Sequence, residues 1–102
     1  DITRTYPVSG RFTPEQLAVY EVVLEAQAAA IEAVGPGRGW GEAHDAAVRA
    51  VARGLRRIGL VDGTPASIVR NGTYKPFFMH RTGHWLGMDV HDCGSYVEPS
   101  EL

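Results

Sequence analysis

Cysteine is almost absent from this chain, with Cys93 alone among 102 residues. A single thiol excludes an internal disulfide framework and a thiolate-only metal site, and it suits a reducing compartment. Lysine is as scarce: of ten basic residues nine are arginine, and Lys75 is the remaining one. Set against twelve carboxylates they leave a formal net charge of −2, so the positive field that carries nucleic-acid binding is missing. No apolar run approaches the roughly 18 residues that cross a bilayer. Asp1-Ile2-Thr3-Arg4-Thr5 lacks the charged-then-apolar order of a secretory signal. Repeats and low-complexity tracts are lacking too. Neither nucleic acid nor a membrane is therefore expected as a partner, and the expected location is the cytoplasm. What is present, 44% hydrophobic and 22% charged residues, is the composition of a globular domain.

Along the chain, Ile2, Arg4, Tyr6 and Val8 alternate with Thr3 and Thr5 ahead of a Ser9-Gly10 turn signal, which predicts a short strand over residues 1–8. Thr13, Pro14 and Gln16 form an N-terminal capping box that starts a helix at Pro14, with Phe12 placed to staple onto Leu17. Leu17, Tyr20, Leu24, Ala28, Ile31 and Val34 repeat at three and four residues as its apolar stripe, and Gly35-Pro36-Gly37 ends it. A second helix carries Trp40, Ala43, Ala47, Val51, Leu55 and Ile58 at helical spacing, with Gly59 as its cap. Arg49, Arg53, Arg56 and Arg57 read as its solvated face, and His44 reads as a structural or surface histidine. Two helical turns are expected from Pro65 to Arg70, closed by Asn71-Gly72.

The chemistry is concentrated between Pro76 and Asp92. Three of the four histidines, His80, His84 and His91, stand within twelve residues of one another, interleaved with Phe, Trp and Leu side chains that can shield a cavity. His80 and His84 have the four-residue spacing of a helical zinc site. Gly83 and Gly87 interrupt the run, Pro76 precedes it and no glutamate follows His80, so a glycine-punctuated loop or strand is expected instead. By pattern alone the site is either metal-binding or acid–base.

Asp1-Ile2-Thr3-Arg4-Thr5-Tyr6-Pro7-Val8, then Gly10-Arg11-Phe12-Thr13, then Pro76 through Gly94 resemble the bacterial Xaa-Pro aminopeptidase branch of the pita-bread metallopeptidases, with prolidase a close relative. The resemblance covers essentially the whole chain, and Phe77-Phe78-Met79-His80 and His84-Trp85-Leu86-Gly87 favour the aminopeptidase. It implies an α+β fold, here part of a creatinase/aminopeptidase-like catalytic domain: one strand, two main helices and an extended histidine-bearing segment. It further implies a dinuclear site, usually Mn²⁺, held by two aspartates, a histidine and two glutamates. Asp1 matches the bridging aspartate and His84 the metal-bound histidine, while His80 and His91 match the two non-ligand histidines that contact substrate and stabilise the tetrahedral intermediate.

The implied substrate is a peptide with proline at the second position, cleaved by a homo-oligomeric cytoplasmic enzyme. The resemblance implies that three of the five ligands fall outside residues 1–102, the first aspartate upstream of Asp1 and both glutamates beyond Leu102, since Glu98 and Glu101 lie in a stretch resembling the loop before the ligand strands. Arg81-Thr82 also stands where many relatives have a Gly-Leu or similar pair. The chain is accordingly expected to be an interior fragment of the catalytic domain, with no complete second domain and no activity of its own. A non-catalytic peptide- or protein-binding pita-bread module, a prolidase-type Xaa-Pro dipeptidase and a self-standing small domain are the alternatives.

Overall fold

The computed structural model describes residues 2–97. Asp1, Glu98 and Glu101 lie outside the described residues. Three helices follow in order: α1 (Pro14–Glu32), α2 (Trp40–Arg57) and α3 (Pro65–Asn71). The start of α1 is the one its sequence dictates. The Thr13 hydroxyl accepts the Gln16 amide proton at 3.2 Å, and the Thr13 amide donates to the Gln16 side chain at 2.9 Å, so two otherwise orphaned donors are satisfied. Phe12 packs on the Tyr20 ring at 4.8 Å, one turn beyond the Leu17 staple expected of it. Gly59 takes φ 83° just past α2, the left-handed conformation that lets the chain leave the helix.

Residues 33–39 turn the chain back so that α2 returns along α1, bringing Val22 in the first half of α1 against Gly54 near the end of α2. The seam is built from small side chains. On α1 the buried residues are Val22, Ala26 and Ala30, four apart, and not the stripe of larger residues. Leu17, Leu24, Ile31 and Val34 are exposed. Helix α1 is apolar on two faces, and the alanine face wins the contact because it allows the backbones to approach most closely. On α2 the expected Ala47, Val51 and Leu55 are buried, joined by Ala46, Val48, Ala50, Ala52 and Gly54, while Trp40 stays half exposed. Its four arginines face solvent as expected, Arg57 reaching Glu25 of α1 at 3.3 Å.

Gly54 is the tightest point of the seam. A Cβ there would come within 2.5 Å of both Val22 methyl groups. Gly54→Val is therefore expected to lose about 1–3 kcal/mol through overpacking, seen as a lower thermal midpoint by circular dichroism. Adding Val22→Ala should recover part of the loss, and an unchanged midpoint for Gly54→Val would refute this account of the seam.

A further expectation needs correction. Among the described residues no strand forms, so residues 2–8 are not the β element expected of them. Alternation makes a segment able to pair, but a strand needs a partner ladder for its backbone groups. Thr3–Pro7 instead border a groove over Val19, Tyr20 and Val23 of α1. The helical part of the reading holds, and the histidine-bearing stretch is loop, with one isolated antiparallel bridge between Trp85 and Asp92.

Past α3, whose Ile68 is fully buried against α2, the chain turns through residues 72–77 and seats Tyr74 and Phe78 on the edge of the core. That anchor is the root of the histidine loop. The radius of gyration, 15.7 Å, exceeds the ~13 Å of a closed domain of about 100 residues.

Candidate functional site

The loop leaves the core at Phe78 and folds back on itself between Trp85 and Asp92. The Asp92 amide donates to the Trp85 carbonyl at 3.1 Å, and the Gly87 amide donates to the Asp89 carbonyl at 3.1 Å. Glycines make the fold-back possible: a Cβ at Gly87 would strike the Asp92 carboxylate, and one at Gly94 would strike the Trp85 indole. His84 and His91 flank the bridge, and their imidazoles stack with centroids 3.8 Å apart and planes 30° apart. Two histidines seven residues apart in sequence thereby share one surface.

Backbone carbonyls orient two of the rings. The Nδ1 atom of His84 lies 2.8 Å from the Trp85 carbonyl, and that of His80 lies 2.8 Å from the Arg81 carbonyl. A carbonyl only accepts, so in each ring Nδ1 carries the proton and donates it, and the basic lone pair is on Nε2. A metal-binding imidazole needs this arrangement, its second nitrogen held by a carbonyl or carboxylate. The His84 ring thus has the tautomer that a metal-binding imidazole uses. The described residues include no group of three or more His, Cys, Asp or Glu side chains able to enclose an ion.

His80 stands against the Phe78 ring, with centroids 4.9 Å apart and planes at 67°. The same phenyl ring also meets a residue that the sequence reading set aside. His44 of α2 stacks on Phe78 at 5.8 Å, and its Nδ1 is 2.8 Å from the Thr82 hydroxyl. One turn earlier on α2, Trp40 stacks on Trp85 at 6.4 Å with planes 9° apart and meets Tyr96 at 5.0 Å. The signal available in the sequence was the four-residue spacing of Trp40 and His44, which puts both on one side of the helix start.

Removal from water, and after it the charge of Arg81, hold the His44 imidazole below its ordinary value of 6.5; His80 adds to the depression and Asp45 opposes it. The folded protein then binds fewer protons at this ring than the unfolded chain, so its contribution to stability is present above 6.5 and is lost as pH falls through that value toward the folded one. Thermal midpoints measured from about pH 7.5 down to about 5 should fall less steeply in His44→Gln than in the unaltered protein. Parallel slopes would show that His44 does not contribute.

Comparison with known proteins converges on one family. The model of metallopeptidase family M24 matches residues 1–101. The Xaa-Pro aminopeptidase of Haemophilus influenzae is 46% identical over 101 residues, 99% of this chain and 24% of that protein. The solved structure of Pseudomonas aeruginosa aminopeptidase PepP superposes with a TM-score of 0.90 at 54% identity, covering 94% of this chain and 22% of that one. Zinc-substituted Escherichia coli aminopeptidase P, solved in complex with product, matches with a TM-score of 0.86 at 39% identity over 91% of this chain and 21% of its own. The E. coli protein has also been solved with either of two histidines, eleven positions apart, replaced by alanine. The chain spans about a quarter of the length of the relatives it matches. A match over nearly every residue, at these identities and on the same fold, makes the chain a member of metallopeptidase family M24.

Proposed function

We propose that residues 1–102 are a segment of the catalytic domain of an Xaa-Pro aminopeptidase, a cytoplasmic, homo-oligomeric enzyme that releases the N-terminal residue from peptides with proline next in line. The observation that carries this reading is the histidine loop: His84, its Nδ1 proton held by a backbone carbonyl, lies face to face with His91. The eleven-residue separation of His80 and His91 equals that of two of the three histidines replaced by alanine in structures of the E. coli enzyme. Open packing supports the segment reading, with large apolar side chains exposed on α1 and along the loop. On this reading the isolated 102 residues have no peptidase activity.

His84 would hold a metal ion through Nε2, with Asp1 and carboxylates elsewhere in the domain completing an oxygen-rich set that suits Mn²⁺. Once bound, the metal would supply Lewis-acid polarisation of the scissile carbonyl and an activated water. The remaining chemistry belongs to the loop. The proline nitrogen leaves as an amine and must gain a proton, and His80, basic at Nε2, can carry one to it. His91, whose ring lies against the face of His84, would donate a hydrogen bond to the developing oxyanion.

The test is hydrolysis of Xaa-Pro and Xaa-Ala peptides by the full-length protein before and after chelation. Cleavage confined to Xaa-Pro, abolished by EDTA and restored by Mn²⁺, is the expected result. Binding of such peptides without cleavage would mean a non-catalytic module, and cleavage confined to dipeptides would mean a prolidase-type enzyme.

A further inference from the structure

The loop between Phe78 and Trp85 is gripped at both ends by one side of α2. At the far end, Trp40 stacks on Trp85 and meets Tyr96 at a tilt, and its ring atoms lie 3.3 and 3.4 Å from where a Gly83 Cβ would be. At the near end, His44 bonds Thr82 and stacks on Phe78, whose ring in turn meets His80. His80 and His84 sit between the two grips. Phe78 is also packed against the buried core, so it has a fixed seat from which to orient the His80 ring.

Building on the peptidase reading above, we infer that His44 is a positioning residue, which sets the place of His80 relative to His84 through the Thr82 hydroxyl and the Phe78 ring. Thr82 is two residues from both His80 and His84, so a tether there constrains the backbone on either side. A displacement near 1 Å of a group that moves a proton can cost on the order of 100-fold in rate, and a supporting contact of this kind keeps such a group in place. His44 touches neither the substrate-facing nitrogen of His80 nor His84 in this account. Its effect is indirect and is read through His80.

The experiment compares the full-length protein with His44→Ala, His44→Asn and Thr82→Val. Peptide kinetics are combined with ¹⁵N NMR of the histidine rings and with metal content. His44→Ala is expected to lower kcat about tenfold, to leave KM within about twofold and metal content unchanged, and to shift the His80 ring signals. His44→Asn, which places an amide where Nδ1 was, should return kcat to within about threefold. Thr82→Val removes the same hydrogen bond without touching α2, and carries the reading if His44→Ala fails to fold. Unchanged kcat and unshifted His80 signals in Thr82→Val and His44→Ala would overturn the proposal, as would equal losses in His44→Asn and His44→Ala. If the unaltered protein cleaves no Xaa-Pro peptide, the peptidase reading fails, and the His80 signals still decide the positioning role.

Discussion

His84→Ala in the full-length protein is expected to lose most of its bound metal and to lower kcat for an Xaa-Pro peptide by on the order of a thousandfold, since Lewis-acid stabilisation is worth several kcal/mol and each 1.36 kcal/mol is tenfold in rate. The argument starts from the tautomer. With its Nδ1 proton donated to the Trp85 carbonyl at 2.8 Å, the ring has its lone pair on Nε2 and its orientation fixed at the second nitrogen. Alanine removes the donor atom and the ring on which His91 stacks. Metal analysis by mass spectrometry together with steady-state kinetics checks the prediction. A variant that keeps wild-type metal content would remove His84 from the ligand set, whatever its activity.

His80→Ala and His91→Ala should separate from His84→Ala and from each other. Both are expected to lower kcat by roughly 10²–10⁴-fold, the range for a positioned proton carrier or hydrogen-bond donor. His80→Ala should leave metal content intact, because Phe78 and the Arg81 carbonyl, not His84, are the contacts that orient its ring. His91→Ala should also weaken metal affinity by about tenfold, since a partner that holds a ligand in place is worth about that much and its ring lies on the face of His84. A peptide with ring-fluorinated proline, whose nitrogen is less basic and leaves more easily, should recover part of the His80→Ala loss. If it recovers none, His80 does not deliver the proton.

The parts of this molecule that were legible in its sequence are those decided within a few residues. The Thr13–Gln16 box, Pro14 at the first helical position and the Gly59 cap follow from backbone groups that must find partners nearby. The glycines at 83 and 87 correctly argued against a helix through His80 and His84, because a helix pays for each glycine while a fold-back needs them. His80, His84 and His91 stood out as a cluster of one residue type. The residues near 2–8 were misread for a physical reason, since alternation describes a segment's two faces and says nothing of whether a partner strand is present. Helix α1 was misread for another: both of its sides are apolar, and periodicity alone ranks the larger side chains first although the alanines make the contact.

The sequence by itself thus determined where helices begin and end, which stretch gathers three of the four histidines and, through resemblance, the family to which the chain belongs. Tertiary structure alone decided which face of α1 is buried, because close approach depends on the shape of α2 and on the missing Cβ of Gly54. It alone stacked His84 on His91, because the Trp85–Asp92 bridge closes a loop whose register no local propensity sets. It also drew in His44, 38 positions from Thr82, since a contact between residues that far apart exists only once the core has brought Phe78 back to α2.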